Sequence, residues 1–247
     1  MRAACWLALL AGLLIPGVAG AQGAPAPAPA QSNVRMTFYP AQGDTVLYRG
    51  LRTIRSAAGR VTVTTVFSLP SGKPIQRTEA VYEAASLAPI SWHLDDERSG
   101  EAESLVREGD ALRLSYRADA HSASKSDTLP RRPGQMFTAT VEPLIERDLA
   151  RLTAGEVVRF RLLVPSRRDS YGFRIQRDDT PALQRPGTVV LRMDPDSWLV
   201  RRLVDPLYFV LQAQPPHRVL EFRGRVSIKT DAGDDQDLRI VYDAGQP

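Results

Sequence analysis

The chain has 247 residues, of which 43% are hydrophobic and 24% charged, with a formal net charge of +4. That composition excludes a collagen-like, a wholly disordered or a multispanning helical membrane protein. Three of the 32 basic residues are lysines (Lys73, Lys125, Lys229), so 29 are arginines, spread along the chain with the acids rather than gathered into the basic stripe of a nucleic-acid binder.

Residues 1–21 run from Met-Arg through an apolar stretch, Ala3 to Leu14, to Ala19-Gly20-Ala21. A charged start, a short apolar core and an A-x-A site predict an export signal cleaved after Ala21. The apolar run is too short to span a bilayer, which takes about 20 residues, and no later segment reads as a transmembrane anchor. The single cysteine, Cys5, lies inside this leader, and Gln22 occupies the position where a lipoprotein would carry its acylated cysteine. The expected product is therefore periplasmic, unlipidated and free of disulfides, thiol nucleophile and thiolate metal ligands. Residues 22–33 begin as alternating Ala-Pro, which favours extended polyproline II and reads as a linker. One domain is expected over 34–244.

In that domain the apolar residues recur with period two. Val158, Phe160, Leu162 and Val164 alternate with Arg159 and Arg161. Tyr171, Phe173 and Ile175 do so with Arg174 and Gln176, Leu112, Leu114 and Tyr116 with Arg113 and Arg117, and Leu220, Phe222, Val226 and Ile228 with Glu221, Arg223 and Arg225. One face on a core and one in water is the habit of antiparallel sheets. Further strands are predicted at 45–54, 60–67, 77–83, 89–96, 101–107, 188–193, 207–212 and 238–243. Turns are expected at Ala57-Ala58-Gly59, Gly109-Asp110 and Pro215-Pro216.

A single helix is predicted over about 140–154. Thr140 is placed to cap it, Pro143 sits in its first turn and Gly155 ends it. Val141, Leu144, Ile145, Leu149 and Leu152 make one apolar face. A second short helix fits Asp196–Leu203. The fold class is mainly β: a large curled antiparallel sheet or partly open β-barrel, with the helix packed on it.

The residues Leu162-Leu163-Val164-Pro165-Ser166-Arg167, Tyr171-Gly172-Phe173-Arg174, Val204-Asp205-Pro206 and Arg218-Val219-Leu220-Glu221-Phe222-Arg223-Gly224 form recognisable short motifs, as does the stretch Tyr82 to Ser91 with Leu87-Ala88-Pro89. In these the chain resembles exported, uncharacterised β-rich proteins of proteobacteria, a domain of unknown function. Its layout is also similar to the curved β clam of periplasmic lipoprotein carriers. Neither resemblance implies a catalytic residue.

The search for chemistry yields little. Gly-x-Ser-x-Gly, phosphate-binding glycine loops and the dinucleotide fingerprint are absent from the sequence. His93, His121 and His217 read as surface residues, and none has a partner at i, i+4. The acidic run Asp231 to Asp237 has its glycine at the wrong position for a calcium loop and reads as a solvated hairpin. No metal and no cofactor are expected, and no catalytic residue is assigned. Trp92, Trp198, Tyr208 and Phe209 lie near apolar strand positions and either fill the core or line an apolar ligand site. The sequence thus leads to a non-catalytic, exported binding or carrier-like module, with a lipid or other apolar ligand as partner. An envelope scaffold that binds another protein around a filled core is the alternative, and a hydrolase with scattered residues comes third.

Overall fold

The computed structural model describes residues 30–198, 200–202 and 204–243. The expected leader, 1–21, and most of the linker lie outside them. Fifteen strands are described: β1 (Ala30–Pro40), β2 (Tyr48–Ala57), β3 (Arg60–Ser68), β4 (Pro74–Glu83), β5 (Pro89–Asp96), β6 (Ala102–Glu108), β7 (Ala111–Arg117), β8 (Lys125–Pro130), β9 (Gln135–Met136), β10 (Val158–Val164), β11 (Asp169–Arg177), β12 (Thr188–Pro195), β13 (Leu207–Gln212), β14 (Val219–Arg225) and β15 (Asp237–Asp243). The helix α1 (Val141–Thr153) lies between β9 and β10.

All fifteen belong to one sheet, ordered β8-β7-β6-β5-β4-β3-β2-β1-β15-β14-β13-β12-β11-β10-β9. The pairs are antiparallel except β9 with β10, which run parallel over two residue pairs. β1 begins inside the expected linker. Its first residues pair with the end of β2, where Gln31 accepts a bond from Arg55 and Asn33 one from Thr53. The second short helix is reduced to a 3₁₀ turn, Val200–Arg202.

The inward face follows from register. Phe38 pairs with Ile240, Ile240 with Phe222, Phe222 with Phe209, Phe209 with Leu191, and Met193 with Ile175. All are buried, so one line of apolar side chains crosses six neighbouring strands. The opposite face carries arginines and acids.

The sheet curls strongly. β14 lies six positions from β5 in the order above, which is roughly 30 Å along a flat sheet. Yet the β14–β15 connection, 226–236, reaches that far wall directly. Gln76 donates to Ser227 at 2.9 Å, Lys229 reaches Glu101 at 2.7 Å and Arg98 reaches Asp231 at 3.0 Å. At the two sheet edges the 3₁₀ turn Pro165–Arg167 packs against β6 and β7, and Arg168 donates to Asp127 at 2.7 Å. The result is barrel-like, with its edges held by side chains and no ladder between β8 and β9.

The helix occupies the concavity. Val141, Leu144, Ile145, Leu149 and Leu152, the predicted apolar face, are all buried, and α1 packs on β10 and β11. Phe137, just ahead of it, packs on the other wall, 6.2 Å from the Tyr82 ring and 5.9 Å from Trp92. Thr140 stands at the helix start as expected, but its hydroxyl closes the preceding turn on Phe137 and leaves the helix uncapped. Gly155, at φ +89°, turns the chain away after the last helical turn.

Candidate functional site

Three places concentrate polar chemistry. The first is where α1 enters the interior. Glu142 accepts from Arg52 at 2.6 Å and from the Tyr242 hydroxyl at 2.8 Å. Burial works against the charge on Arg52, but the Glu142 carboxylate outweighs it and raises the guanidinium pKa further. Burial, then Glu142, pushes the Tyr242 phenol far up, and burial with Glu146 takes Tyr82 to about 12. At neutral pH this is a fixed ion pair with neutral phenols. It pins the first turn of α1 to β2 and β15.

The second lies beneath the 226–236 connection. Lys229 is held by Glu101 at 2.7 Å and donates to Tyr116 at 3.4 Å. Glu103, facing inward from β6, accepts from Trp92 Nε1 at 3.4 Å. Burial, and then the charge on Glu101, pushes Glu103 up to about 7, while bonds from Trp92 and Ser166 and the charge of Lys229 pull the other way. Glu103 therefore titrates near neutrality chiefly because it is buried, and secondly because it stands beside the charge of Glu101. Ile228, next to Lys229 on the connection, is fully buried.

The third is on the outside. The β11–β12 connection, 178–187, folds back onto the outer sheet face. Asp178 N bonds Val190 O at 2.9 Å, Gln184 bonds Asp178 O at 2.8 Å, and Arg185 reaches Glu221. Val190 and Val210 are buried beneath it. Between this connection and the segment 205–206 runs an open cleft of about 370 Å³, within the range of small-molecule sites. Its apolar lining is Ala41, Ala182, Leu183, Val190, Pro206 and the ring of Tyr208, and its carboxylates are Asp178, Asp205 and Asp237. Arg223, the one basic side chain in the lining, is engaged by Glu221. Burial raises the Tyr208 phenol above its ordinary value. Arg192 opposes this, and the charges of Asp178, Asp194 and Asp205 reinforce it.

The four aromatic residues singled out from the sequence are not brought together. Trp92 and Phe209 are buried in the core, Phe209 packing edge-to-face on Phe222 at 5.1 Å. Tyr208 lines the outer cleft, and Trp198 stands 63% exposed with the Arg202 guanidinium 5.4 Å over its ring. Adjacent strand residues point to opposite faces, so Tyr208 and Phe209 cannot serve one site. His93 lies on the outer face in a small groove with Arg77, Glu79 and Asp95. In the acidic run, Asp231 is engaged by Arg98, and Asp235 and Asp237 by Arg225. Asp178 and Asp237 look like turn charges in the sequence, because only the folding-back of 178–187 makes them a lining. Glu103 had a weak signal: a glutamate in register with the inward Leu105.

No family model matches the chain, and no curated protein matches it. Among solved structures it is similar to the crystal structure of a β-barrel-like protein of domain of unknown function DUF1849 from Brucella abortus. The two share 11% identity at a TM-score of 0.45, over 87% of this chain and 95% of that one. That protein is itself of unknown function, so the likeness brings no residue role and lends no support to a kinship with lipoprotein carriers. Among the described residues, no helix is long and apolar enough to cross a membrane.

Proposed function

We propose that this protein is a non-catalytic binding module of the bacterial envelope, exported to the periplasm, which recognises its ligand on its outer surface around a filled core. The observation that carries the proposal is the buried stripe of α1: its apolar side chains occupy the space that a carrier would offer to cargo. Recognition then falls to the outer cleft, whose apolar lining and the carboxylates of Asp178 and Asp205 suit a ligand with an apolar body and a cationic group. Export rests on the sequence of residues 1–21. An uncharged apolar or acyl ligand is the second reading, favoured by the mostly apolar lining of the same cleft.

Dodecylammonium and dodecanoate, equal in chain length and opposite in charge, test this by calorimetric titration. The proposal expects the ammonium to bind more tightly, and Leu183→Arg to abolish binding by placing bulk and positive charge in the cleft. Tighter binding of dodecanoate would favour the second reading. Failure of both probes, or unchanged binding to Leu183→Arg, would remove the cleft as the site.

A further inference from the structure

Five large apolar side chains stand exposed among the described residues: Leu51, Val106, Tyr171, Trp198 and Val204. Three of them belong to one end of the sheet. The connections 165–168 and 196–206 leave the neighbouring strands β11 and β12 at that end, and Phe173 pairs with Pro195. Asp196 N bonds Gly172 O at 2.8 Å, which sets Tyr171 beside the start of the 196–206 segment. Trp198 is 63% exposed, Val204 44% and Tyr171 41%. A tryptophan left mostly in water is unusual on a soluble surface, and an aromatic cluster left there marks an interaction site.

Three arginines beside these aromatics lack a carboxylate partner among the described residues. Most arginines of this chain are matched to carboxylates, including those on the outer sheet face at Asp194 and Glu221. Arg167, Arg201 and Arg202 form none of the ion pairs found among the described residues, and Arg202 instead lies over the Trp198 ring. The acid nearest Trp198 in sequence, Asp196, is taken by Arg159 at 3.2 Å. Arg168 is likewise taken by Asp127 at 2.7 Å, which leaves Arg167, Arg201 and Arg202 as the arginines of this end without an ion pair among the described residues.

Exposed Trp and Tyr next to uncompensated arginines suit the boundary between a bilayer and water. The amphipathic rings sit at headgroup level, and guanidinium forks pair with phosphate oxygens. We propose that this end of the barrel docks on an anionic bilayer surface, with Trp198 and Tyr171 at the headgroup boundary and the exposed Arg167 and Arg202 on lipid phosphates. Asp205 belongs both to this segment and to the outer cleft, so docking sets the cleft beside the membrane. The inference stands whether or not the cleft binds a cationic ligand.

Vesicle co-sedimentation of the full chain tests it. The vesicles are phosphatidylcholine alone or mixed equally with phosphatidylglycerol. Wild type is compared with Trp198→Ala and with the double variant Arg167→Gln, Arg202→Gln, all of the same length, so that residues 1–29 contribute equally. Wild type is expected to bind the anionic vesicles and to be released by salt, and the double variant to bind roughly 10–30-fold more weakly, as two lost arginine contacts imply. Brominated phosphatidylglycerol should quench a fluorescence component that Trp198→Ala lacks, since Trp92 is buried and Trp6 is common to all three chains. No binding by wild type, or equal binding by all three chains, overturns the proposal. Capture of a soluble protein through Trp198 in place of vesicle binding would also overturn it.

Discussion

Replacing Leu152 by alanine tests the filled interior quantitatively. Leu152 is in the last turn of α1, at 0% exposure, on the stripe that faces the sheet. Truncation removes three carbons from a site with no route for water, so the loss combines transfer free energy and a residual cavity. Leu→Ala at such positions costs about 2–5 kcal/mol, and full burial places this case at about 3 kcal/mol or more. For a domain of about 210 residues each kcal/mol lowers Tm by about 2–4 °C, so a fall of roughly 6–12 °C is expected. Thermal unfolding followed by far-ultraviolet circular dichroism measures it, and a urea titration should show a lower midpoint at unchanged slope. Ala150→Gln, exposed on the same helix, is the control and should change stability by less than about 0.5 kcal/mol. A cost below about 1 kcal/mol for Leu152→Ala would refute the reasoning, because it would mean that the stripe faces open space.

Three further outcomes follow from particular contacts. Glu103 in the folded chain, at about 7, stands above an ordinary glutamate, so its contribution to stability is full below about pH 4.5 and is lost as pH rises through 7. The Tm of wild type should therefore fall between pH 5 and pH 8 more steeply than that of Glu103→Gln, and parallel curves would contradict the assignment. Gly224 has φ +141°, and a Cβ there would lie 2.3 Å from Leu207 Cδ2 and 3.3 Å from Leu207 Cα. Gly224→Ala should cost about 2–4 kcal/mol in urea unfolding, and pairing it with Leu207→Ala should recover only part, because the backbone strain remains. Ala58 and Gly59 both have positive φ in the β2–β3 turn, the arrangement that favours Asn-Gly. Ala58→Asn should raise stability by a few tenths to about 1 kcal/mol, read as a higher Tm, and a fall would argue against this turn.

The strands with one wet and one dry face were legible, because Phe160, Ile175 and Phe222 repeat at the spacing the pleat demands. So was α1, whose five apolar residues are the ones found buried. Strands β1, β8 and β9 were not. The first half of β1 and nearly all of β8 are exposed on both faces, so no alternation marks them, and β9 is two residues long. The curl was expected only as a tendency of large sheets. What fixes it is pairing between distant residues, such as Lys229 with Glu101 and Gln76 with Ser227, which no local pattern encodes. The candidate site was hardest to see. Tyr208 was marked as an aromatic on a strand, but its partners Asp178, Leu183 and Asp205 come from two connections that meet only after one folds over the sheet. Local composition also did not separate Trp198, which stands in water, from Trp92, which lies in the core, since both read only as aromatics near apolar strand positions.

The central claim is that the concavity of the sheet is filled by the chain itself. Native mass spectrometry of the purified protein, followed by solvent extraction and lipid analysis, tests it most directly. The account predicts the mass of the polypeptide alone, with no lipid retained in stoichiometric amount. One tightly held lipid or acyl chain per protein molecule would contradict it and would return the interior, in place of the outer cleft, as the place where ligand is carried.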